Sequence, residues 1–268
     1  MKGEMAKKLS IELRFSHFSS RYWLELFCEH ELRNGENLVY IQMLDDPQRW
    51  VLQYTPRNLK NLINAEIMWA TEDELRFIKS NKIKIIKMEK VMTEYFYKNS
   101  DFRACAGSEN KRNRKAANIF EKNYDYKIIH ICDKNKIIDF LKKWDGQQKE
   151  KTAPYTRNLK FCYYLIDYLD RDENLKSTFV FIDNCLVGFF VSEYLYENYG
   201  IGLHQKIDYN IRGLGRWLHR EQAIYFKEAE YVAFGGAVGD SGIENFKESL
   251  NPYKKEPYYY LKLGEIKD

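Results

Sequence analysis

The order of apolar segments in the last third of the chain is the feature that most restricts its fold. Two strand-like runs, "STFVFID" and "CLVGFFVSEYLY", meet at Asp183-Asn184, which is a two-residue hairpin signal. A third run, "YGIGLHQKID", precedes a helix, the strand "YVAFGG", a second helix and the strand "PYYYLKL". This β-β-β-α-β-α-β order predicts three antiparallel strands and a right-handed crossover into a parallel neighbour. We expect these five strands at about 178–183, 186–196, 201–208, 231–236 and 257–263.

The first part of the chain predicts a mixture of helices and strands. "TEDELRFIKSN" predicts a helix with a capping box, because Thr71 precedes it and Glu74 follows three residues later. A second helix is predicted to end near Gly146, and the polar stretch "DGQQKEKTAPYT" follows it. We therefore expect two mixed α/β domains, 1–150 and 151–268, each with a central sheet flanked by helices.

Composition limits the functional class of the protein. Of 268 residues, 43 are basic and 39 acidic, so the net charge of +4 alone does not indicate a nucleic-acid-binding protein. The apolar runs are too short for a membrane-spanning helix, and the N-terminus has no apolar signal region. The five cysteines are scattered without metal-ligand spacing, which predicts reduced, mostly buried thiols in a cytoplasmic protein and no metal site.

The stretch Arg212-Gly213-Leu214-Gly215-Arg216 lies between the third strand and the helix that follows it. The first amides of a helix are unpaired and its dipole favours negative charge, so this position is suited to a phosphate group. The two arginines could add charge-assisted hydrogen bonds. The alternative is a turn whose glycines only relieve crowding. On the first interpretation, bulky residues at Gly213 and Gly215 should weaken ligand binding far more than stability.

Two further groups of residues are candidates for chemistry. Period-2 alternation puts His204, Lys206 and Asp208 on one face of the third strand, and a polar face inside such a sheet indicates a cleft. A histidine there could serve as a general base. Lys247 lies in the helix after the strand "YVAFGG", where it could face the gap between the two parallel strands. The alternative is a solvated surface lysine.

A basic cluster, Lys111, Arg112, Arg114 and Lys115, opens a predicted helix over 108–123. Lys111, Arg114 and Lys115 share one helical face because they are spaced i, i+3 and i+4. The default interpretation is a solvated face. The alternative is a contact with the phosphate backbone of a nucleic acid, which would make binding fall steeply with salt.

Three motifs together resemble a known family. They are "EYFYKNSDFRACAGSENKRNRKAANIFEKNY", "LHQKIDYNIRGLGRWLHREQA" and "GDSGIENFKESLNP". They are similar, in this order, to the phosphatidylglycerol lysyltransferase C-terminal-like group, also called domain-of-unknown-function family 2156. The resemblance covers roughly residues 70–268. It implies two tandem acyl-CoA N-acyltransferase (GNAT-like) halves, the first degenerate and the second carrying the active cleft.

The resemblance also implies a function. It places His204, Lys206, Asp208, Arg212, Gly213 and Lys247 along the cleft, and it implies an acyl or aminoacyl transferase. The donor would be aminoacyl-tRNA or acyl-CoA, the acceptor an amine or hydroxyl of a small molecule or lipid, and no cofactor would be tightly bound. His204 or Asp208 would take the acceptor's proton, and Lys247 or backbone amides would stabilise the oxyanion. The alternative is an inactive binding module for tRNA or a nucleotide-like ligand, which the departure "GGAV" after the fifth strand would fit.

Overall fold

Eleven strands form a single mixed sheet in the part of the chain that the computed structural model describes, residues 16–148, 151–196, 198–237 and 241–266. The strands are β1 (Cys28–Arg33), β2 (Glu36–Gln42), β3 (Trp50–Leu52), β4 (Glu66–Ala70), β5 (Ile83–Lys98), β6 (Lys127–Ile129), β7 (Leu175–Ile182), β8 (Cys185–Tyr196), β9 (Tyr199–Ile207), β10 (Tyr231–Ala233) and β11 (Lys254–Ile266). Their spatial order is β1-β2-β3-β4-β11-β5-β10-β9-β8-β7-β6.

Helices cover both faces of this sheet. They are α1 (Arg21–Phe27), α2 (Glu72–Ser80), α3 (Asn99–Ala104), α4 (Lys111–Asn123), α5 (Lys134–Gly146), α6 (Ala153–Ile166), α7 (Leu214–Tyr225) and α8 (Ser241–Glu248), with 3-10 turns at His17–Ser19 and Leu59–Asn61. The expected mixed α/β class, a mixed sheet flanked by helices, is confirmed. None of the described helices has the length and apolarity needed to cross a bilayer.

The C-terminal strands follow the order expected from the sequence. β7, β8 and β9 are successive antiparallel neighbours, and β9 pairs in parallel with β10 after the crossover helix α7. The hairpin between β7 and β8 turns at Asp183 and Asn184, whose φ angles of 50° and 61° are typical of a type I′ turn. β10 is shorter than expected because the chain leaves the strand after Ala233.

The last strand does not pair with β10. β11 lies between β4 and β5, antiparallel to both, and β5 pairs with β10. The edge strand β6 pairs with β7, although it precedes the expected joint near residue 150. The sheet is therefore continuous across the two parts of the chain, and the division at residue 150 stays a prediction.

Neighbouring residues on β8 show how the two faces are filled. Phe189 points to one face, where it packs with Phe140 of α5 in a cluster that also contains Phe161 of α6. Phe190 points to the other face, where it belongs to a cluster with Trp217 of α7 and Phe120 of α4. Helices α5 and α6 thus cover one face, and α4 and α7 cover the opposite face.

Local sequence signals explain several of the helix boundaries. The capping box that begins α2 is present, since Glu74 N–H donates to Thr71 Oγ1 and Thr71 N–H donates to Glu74 Oε2, at 3.3 and 2.6 Å. Thr152 caps α6, which has a proline in its first turn. All five cysteines are free thiols; four are buried and Cys185 is exposed.

Candidate functional site

The sheet opens where β9 and β10 part. Their parallel pairing ends at Ile201 and Ala233, and β9 then continues to Ile207 beside β8. On the other side, Phe234 N–H donates to Tyr95 O of β5 at 3.0 Å. Beyond this point a gap separates β9 from β5, and we call it the central gap.

Lys247 binds the backbone on one side of the central gap. Its Nζ donates to the backbone oxygens of Phe234, Gly235 and Gly236, at 2.5, 2.9 and 2.8 Å. Burial, with a smaller contribution from the charge of Lys206, lowers the pKa of Lys247 to about 7, while Glu94 opposes the change. The structure thus places Lys247 at the gap, with all three of its protons directed at carbonyl oxygens.

His17 lies on the other side of the gap, next to β9. The sequence analysis did not identify this residue. Its Nδ1 lies 3.2 Å from Gly202 O on β9, and its backbone N–H donates to Glu94 Oε1 at 2.6 Å. The ring also packs against Gly235, whose φ is +64° and whose added Cβ would lie 3.0 Å from His17 Cγ. Burial, together with the Lys247 charge, lowers the pKa of His17 to about 3, so the imidazole is neutral.

Glu94 of β5 anchors this arrangement. It is fully buried, and it accepts hydrogen bonds from Ser16 Oγ, Tyr258 Oη and the His17 amide, at 2.8, 2.7 and 2.6 Å. A buried carboxylate is tolerated when hydrogen bonds and a nearby cation compensate its desolvation, and Lys247 supplies that cation. Glu94 begins the "EYFY" motif of the sequence, but its role depends on partners that are distant along the chain.

His204 and Lys206 lie on one face of β9, as the alternation predicted. His204 packs edge-on against Phe161 of α6, with ring centroids 5.1 Å apart. Lys206 Nζ donates to Asn158 Oδ1 of the same helix at 2.9 Å and lies 4.6 Å from the centroid of the Trp144 ring. Both residues therefore point into the interior beneath α6 and α5.

The electrostatics of this pair favour uncharged imidazole. Burial, Lys206 and His17 together lower the pKa of His204 well below its ordinary value, and burial lowers the pKa of Lys206. His204 is only 3% exposed, and its Nε2 has no hydrogen-bond partner among the described residues. A neutral imidazole keeps one unprotonated nitrogen that can accept a proton, and the lowered pKa means that this nitrogen holds the proton only weakly.

Asp208 is placed at the end of β9. Its Oδ1 accepts from the backbone N–H and the side-chain amide of Asn210, at 3.0 and 2.9 Å, and Lys143 Nζ lies 3.9 Å from its Oδ2. These contacts fix the start of the loop that leads to α7. Asp208 thus holds the loop residue Asn210, and its expected role as a proton acceptor stays a prediction.

The glycine loop lies on the α7 face, opposite to His204. Gly213 has φ +87°, and an added Cβ would lie 2.2 Å from Ala116 O of α4. This close approach shows that Gly213 is needed for packing. A bulky residue here should therefore lower stability as well, because the added atoms would meet the backbone of a neighbouring helix, and its effect on ligand binding stays a prediction.

The other residues of the loop differ in whether their side chains are exposed to solvent or already hydrogen-bonded within the protein. Leu214 and Gly215 are buried, and Gly215 O accepts from Gln205 Nε2 at 2.7 Å. The guanidinium of Arg216 donates hydrogen bonds to Asn113 Oδ1 of α4 and, at 2.5 Å, to Ser249 Oγ. Burial lowers the pKa of Arg216 to about 10. Arg212 is exposed, and its backbone N–H lies 3.4 Å from Tyr124 Oη.

The basic cluster lies next to this loop, because α4 packs against α7. Lys111, Arg112 and Lys115 are exposed, whereas Arg114 donates to the backbone oxygens of Cys105 and Gly107. A shallow depression of about 590 Å³ runs along α4; its lining residues are Lys111, Arg114, Lys115, Asn118, Ile119, Lys122 and Asn123. The loop and the basic helix thus form one cationic surface, separated by the sheet from His204. No group of three or more His, Cys, Asp or Glu side chains in the described part of the chain could hold a metal ion.

Comparison with known proteins assigns the fold. No protein-family model and no curated protein matches the sequence. A conserved protein of unknown function from Bacteroides thetaiotaomicron is similar over 97% of this chain and 96% of its own, with a TM-score of 0.77 and 16% identity. L-PGS from Bacillus licheniformis is similar over 97% and 91%, with a TM-score of 0.65 and 14% identity.

A third similar structure bears directly on the expected family. It is the C-terminal DUF2156 domain of a proposed lysylphosphatidylglycerol synthetase from Agrobacterium fabrum, with a TM-score of 0.63, 11% identity and coverage of 97% of this chain and 91% of that domain. The resemblance stated from the sequence motifs is thus confirmed at the level of the fold, and it extends over almost the entire chain.

Proposed function

We propose that this protein is an acyl or aminoacyl transferase that moves an activated acyl group from a large anionic donor to an amine or hydroxyl acceptor. The observation that supports this most strongly is the orphaned, neutral His204 Nε2 beside Lys206, buried next to an opening in the sheet of a DUF2156-like fold. The donor would be an aminoacyl-tRNA ester or an acyl-CoA thioester.

In the proposed reaction, His204 transfers the proton and Lys206 stabilises the negative charge. The acceptor's oxygen or nitrogen attacks the acyl carbonyl while its proton passes to His204 Nε2. Lys206, whose charge acts on His204 from the same face of β9, would stabilise the oxyanion of the tetrahedral intermediate. When the ester or thioester bond breaks, the imidazolium returns the proton to the leaving oxygen or sulfur. The neighbouring Lys206 charge disfavours the imidazolium and so promotes this return.

The transfer itself can be measured with labelled donors. Aminoacyl-tRNA and acyl-CoA are supplied separately, with polyamines, glycerol or phosphatidylglycerol vesicles as acceptors; the vesicles are included because a similar structure bears the name lysylphosphatidylglycerol synthetase. His204→Phe should lower the rate by about 100-fold or more. The control is His130→Phe, which replaces an exposed histidine at the β6 edge whose Nδ1 lies 3.0 Å from Ser177 O. Donor consumption no faster than without protein, or full activity of His204→Phe, refutes the proposal.

The cationic surface of α4 indicates how a tRNA donor would be held. Lys111, Arg112 and Lys115 are the exposed members of the cluster. Their replacement by alanine removes charge but leaves the hydrogen bonds of Arg114 to the backbone oxygens of Cys105 and Gly107. The salt dependence of tRNA affinity should become shallower by about two to three units of log K per log salt. Lys60, Lys79 and Lys84 are also exposed, and the same triple replacement there is the control. Unchanged affinity and slope in the α4 variant would exclude this surface as a tRNA site.

A binding module without catalysis is the second candidate. This candidate is favoured by the closed central gap, because His17 and Lys247 form hydrogen bonds with the backbone oxygens on its two sides. tRNA binding that depends on α4, with no consumption of either donor, would distinguish this candidate from a transferase.

A further inference from the structure

The N-terminal segment from Ser16 to Arg21 bridges the central gap. At one end, Ser16 Oγ and the His17 amide donate to Glu94 of β5. At the other end, the Arg21 amide lies 3.4 Å from Glu193 Oε1 of β8. Two buried carboxylates on opposite sides of the gap therefore hold the segment in place.

The gap would otherwise be a place for an extended ligand. Where two parallel strands part, their backbone groups lose their sheet partners and can bind an extended, amide-bearing chain as an added strand would be bound. Here the freed acceptors have internal partners. Gly202 O on β9 is paired with His17 Nδ1, and Phe234 O, Gly235 O and Gly236 O are paired with Lys247 Nζ.

The His17 ring also fills the space at this point. It lies so close to Gly235 that even a single added carbon on the glycine would stand 3.0 Å from Cγ. His17 is 7% exposed, and its other neighbours are aromatic, with Phe18 and Trp23 in edge-on contact at centroid distances of 5.2 and 6.3 Å. An extended arm could not pass through the central gap between β9 and β5 while this ring is in place.

We propose that His17 is a specificity-determining residue, which excludes an extended amide arm such as the pantetheine of coenzyme A from the central gap. This inference rests on the proposed function, in which the base His204 lies next to the gap. It means that acyl-CoA thioesters are rejected at the gap itself, whatever affinity the cationic surface has for their phosphates.

The test is a binding measurement that requires no turnover. Calorimetric titration compares coenzyme A with adenosine 3′-phosphate 5′-diphosphate, which keeps the three phosphates but lacks the pantetheine arm, on the parent protein and on His17→Gly. The parent should bind the two ligands with similar affinity. The variant should bind coenzyme A about tenfold or more tightly than the truncated nucleotide, which corresponds to about 1.4 kcal/mol from the arm. Millimolar imidazole should cancel the gain by refilling the site.

Two further variants keep the result interpretable. His17→Ser retains a hydrogen-bond donor in a smaller volume and should show the same gain if His17→Gly does not fold, while His17→Gln fills the space and should resemble the parent. A parent protein that already prefers coenzyme A, or folded Gly and Ser variants with no gain, overturns the proposal. Transfer from acyl-CoA by the parent would support the proposed function but refute this role of His17. If the parent shows no transfer but the His17 variants gain coenzyme A binding, the role of His17 is supported and the proposed function is refuted.

Discussion

Lys247 provides the sharpest test of the interactions at the central gap. Its ammonium is held by three backbone oxygens and is only partly compensated by Glu94, and burial lowers its pKa from 10.5 to about 7. The perturbation that we consider is Lys247→Met, which keeps most of the side-chain volume and removes the titrating group.

The sign of the pH effect follows from the direction of the shift. Between pH 7 and 10.5 the unfolded chain binds a proton at Lys247 that the folded chain has largely lost, so stability rises with pH in this window and falls as pH decreases towards 7. With these two pKa values, the contribution of Lys247 between pH 7.0 and 8.5 is about 1.5 kcal/mol. The methionine side chain of the variant does not titrate and contributes nothing to this dependence.

The assay is urea unfolding at several pH values between 7.0 and 8.5, with the free energy of unfolding extrapolated to water for both proteins. The difference between parent and variant isolates Lys247, because the shifted cysteines and tyrosines titrate equally in both. We expect the parent to gain about 1.5 kcal/mol relative to the variant over this range. Parallel profiles would refute the reasoning and would mean that the three carbonyls keep Lys247 fully protonated.

Two other predictions concern the positions that shape the site. Burial raises the pKa of Glu193 to about 7, so the folded state retains a proton that the unfolded state loses above about pH 4.5; stability should fall by about 3 kcal/mol between pH 4.5 and 7.5, and Glu193→Gln should abolish that fall in urea unfolding. A variant with the parent's pH profile would contradict this. Gly213→Ala should lower stability by about 2 kcal/mol or more, since its methyl would meet Ala116 O at 2.2 Å with φ at +87°. The control Gly215→Ala, which meets the flexible end of Ile207 at 3.1 Å, should change thermal stability by less than about 1 kcal/mol; equal losses at both glycines would be inconsistent with the packing role.

Features of the fold that depend on neighbouring residues could be predicted from the sequence. The Asp183-Asn184 turn and the Thr71 capping box need only a few adjacent positions, and both are present. The same holds for the face shared by His204 and Lys206, which follows from strand alternation alone. Local chemistry fixes such features because the partners are brought together by the geometry of a single element.

The residues that were missed depend on contacts between distant parts of the chain. His17 meets Gly202 across 185 positions, and Glu94 meets Tyr258 across 164. No periodicity links such pairs, so nothing in the local sequence indicates that a histidine near the N-terminus enters a gap in the C-terminal strands. Arg216 illustrates the same limit, since its position in the loop suggested an anion ligand while its guanidinium is bound to Asn113 and Ser249.

The order of the central strands explains why residues from both parts of the chain line the central gap. β5 lies beside β10, and β11 lies on the other side of β5, next to β4. As a result, Glu94 on β5 faces the opening that β9 and β10 create, and it can hold the segment that carries His17. The gap is therefore built by both parts of the chain: the first supplies the carboxylate and the imidazole that close it, and the second supplies Lys247 and the proposed base, His204.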